Sequence, residues 1–241
     1  MIVSSIQPCF APWLGYFEQM ALADVFIYLD DVQYTKKDWR NRNQLKSPDG
    51  QKFIHVPVQK TSRETRLNEV LISYNEPWEI RLLNQISQWY RNAQFFEETF
   101  EMVESSLYAG HERLVDLNYD LNQRLMEYIG IRTPIRFSSE IPKIGINKNE
   151  RIVELCNWVN ADVLYDGKSA QNFIDLELFQ RHGIHVVFQD YHHRPYPQLW
   201  GKFEPYMSIL DLLCNQGKSS LDYILASPVP DRMKSTVFCP V

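Results

Sequence analysis

Short apolar runs alternate along the chain with longer stretches whose apolar residues recur at helical spacing. A short stretch with apolar Ile2, Val3 and Ile6 is followed by a loop carrying Pro8 and Pro12. Leu14, Phe17, Met20 and Ala21 then recur at helical spacing, and Val25 to Leu29 forms a second apolar run. The order reads as strand, loop, helix, strand. Pro12 suits the first helical turn, because its missing N–H breaks no intrahelical bond there, so the helix is expected to begin near Trp13.

If the two strands are parallel, the right-handed crossover puts the end of the first strand, the helix start and the end of the second strand on one sheet edge. Open α/β sheets bind ligands at that edge. It would gather Gln7, Cys9, the amides near Trp13, and Asp30 and Asp31. The polar and aromatic run from Gln33 to Asn43, with Tyr34, Trp39, Arg42 and Asn43, follows directly and reads as a binding loop or as a solvated one.

Ser47-Pro48-Asp49-Gly50 is a turn by residue type, and the alternation in Lys52 to Val58 makes it the turn of a hairpin. Val70 to Ile72 is a further strand candidate. From Pro77 the period becomes helical: Ile80, Leu83, Ile86, Tyr90; then Phe96, Phe100, Val103, Leu107; then Leu114, Leu117, Leu121, Leu125, Tyr128, closed by Gly130 as a C-terminal cap. The α/β pattern resumes at Glu150: a helix with Ile152, Val153, Leu155 and Trp158, a strand at 162–165, a helix capped by Asp175 and ended by Gly183, and a strand at 184–188. Ser208 caps a last helix in which apolar residues surround Asp211, an acid expected either to be a buried partner or to belong to a site. The fold class is α/β, a mostly parallel sheet built from two strand-helix-strand units with an inserted helical layer or subdomain. The expected divisions are 1–76, 77–130, 131–226 and a proline-rich tail at 227–241, all compatible with one domain.

The bulk numbers narrow the function. The 241 residues are 44% hydrophobic and 23% charged, ordinary for a globular protein, while the aromatic share of 13% fits a planar or sugar-like ligand. A net charge of −5 argues against DNA as a partner, since a phosphate backbone calls for a basic face. The cysteines at 9, 156, 214 and 239 have no CxxC spacing, so neither a zinc site nor a disulfide framework is expected. No apolar run approaches the roughly 18 residues of a membrane span, and a cytoplasmic protein with reduced thiols is expected.

Gly167-Lys168-Ser169 and Gly217-Lys218-Ser219 resemble phosphate loops, but the second glycine of that motif is replaced by Asp162 and Leu212. Lys168 remains a point charge available to a carboxylate or phosphate. The first unit has the layout of nucleotidyltransferase-like proteins, whose His-x-Gly-His signature is here Trp13-Leu14-Gly15-Tyr16, so ATP use gains no support. The pairs His192-His193 and His182/His185 lack partners at metal-ligand spacing, and no metal is expected. His193, ahead of Tyr196 and Gln198, is a candidate general base. Cys9 is a candidate thioester carrier or a small apolar filler.

Ile6-Gln7-Pro8, Pro12 to Phe17, Asp30 to Tyr34, Trp39-Arg40-Asn41-Arg42-Asn43, Tyr196-Pro197-Gln198 and Ser208 to Leu213 with Asn215-Gln216-Gly217 resemble the WbqC-like proteins over nearly the whole chain. The resemblance implies a role in bacterial surface-polysaccharide (O-antigen) biosynthesis, with transfer of glycine or another amino acid to an amino sugar as the implied activity. Partners would be a nucleotide-linked amino sugar and an activated amino-acid donor; the donor chemistry, ATP or aminoacyl-tRNA, stays open. Asp31, Asp211 or His193 would be the base. Lys168, Asn43 and Arg42 would serve the oxyanion or the diphosphate, Tyr16, Tyr34 and Trp39 would stack on sugar or base, and Gln7 and Gln198 would read polar groups. A non-catalytic glycan-precursor binding protein would use the same groups without needing a base.

Overall fold

The computed structural model describes residues 1–230 and Met233. In chain order the elements are β1 (Ile2–Ile6), α1 (Leu14–Leu22), β2 (Val25–Tyr28), β3 (Arg42–Ser47), β4 (Gly50–His55), α2 (Trp78–Tyr90), α3 (Phe96–Leu107), α4 (Leu114–Ile129), β5 (Ile135–Phe137), α5 (Lys148–Trp158), β6 (Val163–Asp166), α6 (Leu176–Arg181), β7 (His185–Phe188), α7 (Ile209–Gln216) and α8 (Ser220–Ile224). The main sheet has the order β5-β2-β1-β6-β7, and every neighbouring pair in it is parallel. From β1 the chain steps outward one way to β2 and β5, then returns to the other side of β1 for β6 and β7. That reversal opens a crevice at the C-terminal tips of β1 and β6, the place where doubly wound sheets receive ligands.

Both faces of the sheet are covered, which leaves β1 and β2 almost wholly buried. One face packs Val3, Ile27 and Leu164 against Ile152 and Val153 of α5 and Phe179 of α6. The other carries a larger cluster in which Phe10, Phe17, Leu45, Leu82, Val103, Leu121 and Leu213 share one core, so the helical layer α2–α4, the β3–β4 hairpin and α7 close on the same apolar interior as α1. Truncating a residue as buried as Leu121 to alanine costs about 2–5 kcal/mol.

Local chemistry sets the ends of these elements. Asn147 caps α5 by accepting the Glu150 amide at 3.0 Å, and Ser208 caps α7 by accepting that of Leu210 at 3.2 Å. Gly130 ends α4 in the left-handed region at φ 86°, as its position predicts. The hairpin turns at Pro48-Asp49, and Pro57 lies just beyond the end of β4.

Several expectations need correcting. Ile80 is 52% exposed, and the inward stripe of α2 runs instead through Trp78, Leu82, Leu83, Ile86 and Tyr90. Val70 to Ile72 is not a strand: it makes two isolated bridges, to Val58 and Arg113. The three-residue β5 escaped the periodicity, because Ile135 and Phe137 around Arg136 give too short a pattern. α1 starts at Leu14 with Trp13 as its N-cap, so Pro12 stands just ahead of the helix. Of the expected tail, residues 231, 232 and 234–241, with Cys239, lie outside the described residues.

Candidate functional site

The crevice at the tips of β1 and β6 is a cleft of about 670 Å³. Its floor is the β1–α1 loop, held by side chains from far along the sequence. Asn122 donates to the Cys9 carbonyl at 3.1 Å, Asn43 to those of Phe10 and Ala11 at 3.1 and 2.9 Å, and Ser208 to that of Ala11 at 2.7 Å. Ala11 sits at φ 41°, a left-handed conformation that costs a non-glycine residue on the order of 1 kcal/mol or more. These three anchors hold it there.

On one wall Arg40 reaches in from the loop after β2. Its Nη2 donates to Gln7 Oε1 at 3.0 Å and its Nη1 to Cys9 Sγ at 2.9 Å, with Asp38 3.7 Å away. The Tyr16 hydroxyl donates to the Gln7 carbonyl at 3.0 Å. Burial pushes the Cys9 thiol up against the opposing pull of Arg40. A neutral thiol is a weak nucleophile, so the geometry favours a packing role for Cys9 over an acyl carrier.

The opposite wall comes from the second strand-helix-strand unit. Asp166 ends β6, and its Oδ1 accepts the Gly167 amide at 2.7 Å. Burial raises its carboxyl to about 6, with the Gly167 hydrogen bond and the Lys148 charge pulling the other way. The Lys148 ammonium lies 3.3 Å from the centroid of the Phe173 ring, and partial burial lowers its pKa. Lys168, more exposed, pairs with Asp190 at 2.9 Å.

Beneath this wall is a buried polar cluster. Glu18 accepts from the Tyr165 hydroxyl at 2.9 Å and from Gln189 Nε2 at 2.6 Å; Gln189 Nε2 also reaches the Gly15 carbonyl at 2.7 Å, and its Oε1 accepts from Gln19 at 2.9 Å. Burial raises Glu18 to about 7, its hydrogen bonds acting against the shift.

An aromatic group closes one end. Trp13 packs edge-on to Tyr191 at 5.2 Å and tilted to Tyr206 at 5.7 Å, and the Trp13 ring also lies over Gly15. His193 stands behind these rings, 4.5 Å from Tyr206 and 5.0 Å from Tyr191 between centroids. Neither of its buried nitrogens has a hydrogen-bond partner among the described residues, and burial lowers it to about 4.

The structure thus brings Gln7, Cys9, Tyr16, Trp39, Asn43 and Lys168 to one cleft. It sends the other residues singled out from the sequence elsewhere. Asp31 faces a second, wider cleft of about 1020 Å³ at the tips of β2 and β5, where it forms an ion pair with the buried Arg151 at 3.0 Å. Arg42 stacks over Phe53, 4.5 Å from its centroid, and Tyr34 is buried in the core. Asp211 and Gln198 lie in a closed knot: Asp211 accepts from Tyr90 and Tyr196 at 2.6 Å each and from Gln198 at 2.8 Å, and Gln198 accepts from Lys46 at 3.2 Å. The walls of the cleft are instead the β1–α1 loop with Arg40 on one side and the 148–191 segment on the other. In the cleft His193 backs the aromatic rings and does not face the cavity. Arg40, Lys148, Asp166, Gln189 and Tyr191 went unmarked, although an Asp-Gly pair ending an apolar run was a visible signal for Asp166. Among the described residues no group of three His, Cys, Asp or Glu side chains could hold a metal ion, and no helix is long and apolar enough to cross a membrane.

Fold and site together define a doubly wound parallel α/β protein with a polar and aromatic cleft at its switch point. The chain belongs to the WbqC-like protein family, whose model matches residues 7–223 and so takes in both walls of the cleft. Membership suggests a role in polysaccharide-related biosynthesis. A Mycobacterium tuberculosis protein named "Uncharacterized protein Rv1507c" is 37% identical over 225 residues, which cover 92% of this chain and 96% of that one. No solved structure matches.

Proposed function

We propose that the cleft binds a nucleotide-linked amino sugar and that the protein joins glycine or another amino acid to its amine, forming an amide during surface-polysaccharide synthesis. The observation that carries the reading is the pairing of three cations, Arg40, Lys148 and Lys168, with Trp13, Trp39 and Tyr191 around one cavity of about 670 Å³. Cations on opposite walls suit a diphosphate, and Arg40 offers the fork that binds such oxygens in pairs. Aromatic faces suit a sugar ring or a base, and the volume lies within the range of about 300–1,000 Å³ usual for small-ligand sites.

The second substrate is an activated amino acid, an ester or an acyl phosphate, because a free carboxylate does not acylate an amine without prior activation. Both substrates are made in the cytoplasm, where this reading puts the protein. The test is incubation with an amino-sugar nucleotide, glycine and either ATP or charged tRNA. A mass gain of one amino-acid residue on the nucleotide sugar supports the reading; tight binding without any mass gain replaces it with a non-catalytic binding protein.

A further inference from the structure

Among the described residues Asp166 is the only carboxylate that lines the cleft. The Gly167 amide orients Oδ1 at 2.7 Å, and Oδ2 makes no hydrogen bond to the described residues. Lys148, the cation whose charge acts on Asp166, rests on the face of Phe173 and forms no ion pair with the carboxylate. The groups that act on Asp166 are the Gly167 amide and Lys148, and Asp166 acts in turn on Cys156 of α5; Lys168, on the 3-10 turn after β6, is paired with Asp190. A half-buried acid with one oxygen oriented and one unused, at the tip of a central strand, is placed to receive a proton from a ligand.

We propose that Asp166 is the base of the cleft, accepting a proton from the amine of the bound amino sugar through Oδ2. The inference rests on the reading of the cleft given above. An amino sugar reaches the site largely as an ammonium ion. Asp166 takes one proton, and the nitrogen lone pair attacks the carbonyl carbon of the amino-acid ester or acyl phosphate. The C–N bond forms, the carbonyl carbon's bond to the leaving oxygen breaks, and that oxygen keeps the electron pair and receives the second nitrogen proton. A carboxyl raised to about 6 is a stronger base than an exposed one and is still ionised at neutral pH.

The test compares the wild-type protein with Asp166→Asn and Asp166→Glu. Asparagine keeps an oxygen to accept the Gly167 amide, so the loop is retained, and circular dichroism checks the fold. Each protein is assayed for transfer between pH 5 and 8. Each is also titrated calorimetrically with an amino-sugar nucleotide and with the counterpart carrying a hydroxyl in place of the amine. D166N is expected to lower kcat by about 100-fold or more, the usual contribution of a positioned base, with KM within about threefold. The acid limb of the pH profile near 6 should disappear, D166E should recover part of the rate, and the wild-type preference for the amine over the hydroxyl compound should be lost in D166N. A D166N protein that keeps its kcat, its acid limb or its amine preference overturns the inference and leaves the reading of the cleft standing. A wild-type protein that binds neither nucleotide overturns both.

Discussion

The Trp13 ring lies across Gly15 so closely that a Cβ built on Gly15 would sit 2.3 Å from a ring carbon. Glycine is therefore required two residues into α1 for a reason unrelated to helix propensity: it lets an aromatic ring fold back over the helix start and form one end of the cleft. Gly15→Ala is expected to displace the ring. Alanine's advantage of about 1 kcal/mol in a helix is outweighed by an overpacking cost on the order of 1–3 kcal/mol. Thermal melting should show a lower Tm, and binding of the nucleotide sugar, followed by tryptophan fluorescence, should weaken by about tenfold, equivalent to about 1.4 kcal/mol.

Arg40 ties the two polar groups of the first wall together, whereas Cys9 is a neutral filler beside it. Arg40→Ala should raise KM for the nucleotide sugar by about tenfold or more, and Arg40→Lys should not restore it, because an ammonium cannot reach Gln7 and Cys9 together while facing a diphosphate. Cys9→Ala should keep transfer within about tenfold of wild type, and no covalent acyl-cysteine should appear in intact-protein mass spectra.

Asp211 is a structural anchor in this account. Its carboxylate accepts three hydrogen bonds inside a closed knot, and deleting one partner leaves Tyr90, Tyr196 and Gln198 with unmet donors. Asp211→Ala is expected to cost about 3 kcal/mol or more, seen as a Tm lowered by roughly 6–12 °C. Transfer per folded molecule should be nearly unchanged. Transfer abolished in a fully folded variant would return Asp211 to the chemistry.

Glu18 gives a pH signature of definite sign. Its folded pKa of about 7 lies above the ordinary 4.5, so the folded state holds more protons between those values, and stability falls as pH rises through that window. The shift corresponds to a loss on the order of 3 kcal/mol by pH 8. His193 acts in the opposite direction: lowered from 6.5 to about 4, it makes stability rise with pH between those values. The difference between wild type and Glu18→Gln isolates the first effect. Denaturant unfolding should show the glutamine variant gaining on wild type from pH 5 to pH 8, and a constant difference would contradict the assignment.

Much of the fold was legible because it rests on local signals: the crossover at the N-terminus, the turn at Pro48-Asp49, the helical stripes of α3 and α4, and the caps at Gly130, Asp175 and Ser208. The site was legible only where it shares those signals. Gln7 and Tyr16 follow from strand end and helix start, and Lys168 from the loop after an apolar run. Asp166 directly follows the apolar run at 162–165, but only the pairing of β6 with β1 shows that the turn after it faces Gln7. Asp211 shows the converse limit. An acid among leucines announces burial, but its partners Tyr90 and Tyr196 stand 121 and 15 residues away, and no periodicity links them. Arg40 was hidden in a run of charged residues, because the contact that singles it out, Cys9, lies 31 positions earlier.

The claim on which the account depends is that the cleft between β1 and β6 is the ligand site, and equilibrium titration with an amino-sugar nucleotide tests it most directly. The protein should bind the nucleotide saturably with quenching of Trp13 and Trp39 fluorescence, and Arg40→Ala and Lys148→Ala should each weaken binding at least about tenfold, while Arg63→Ala, at the second cleft, should leave it unchanged. No saturable binding, or binding lost on changing Arg63 and untouched by Arg40 and Lys148, would contradict it.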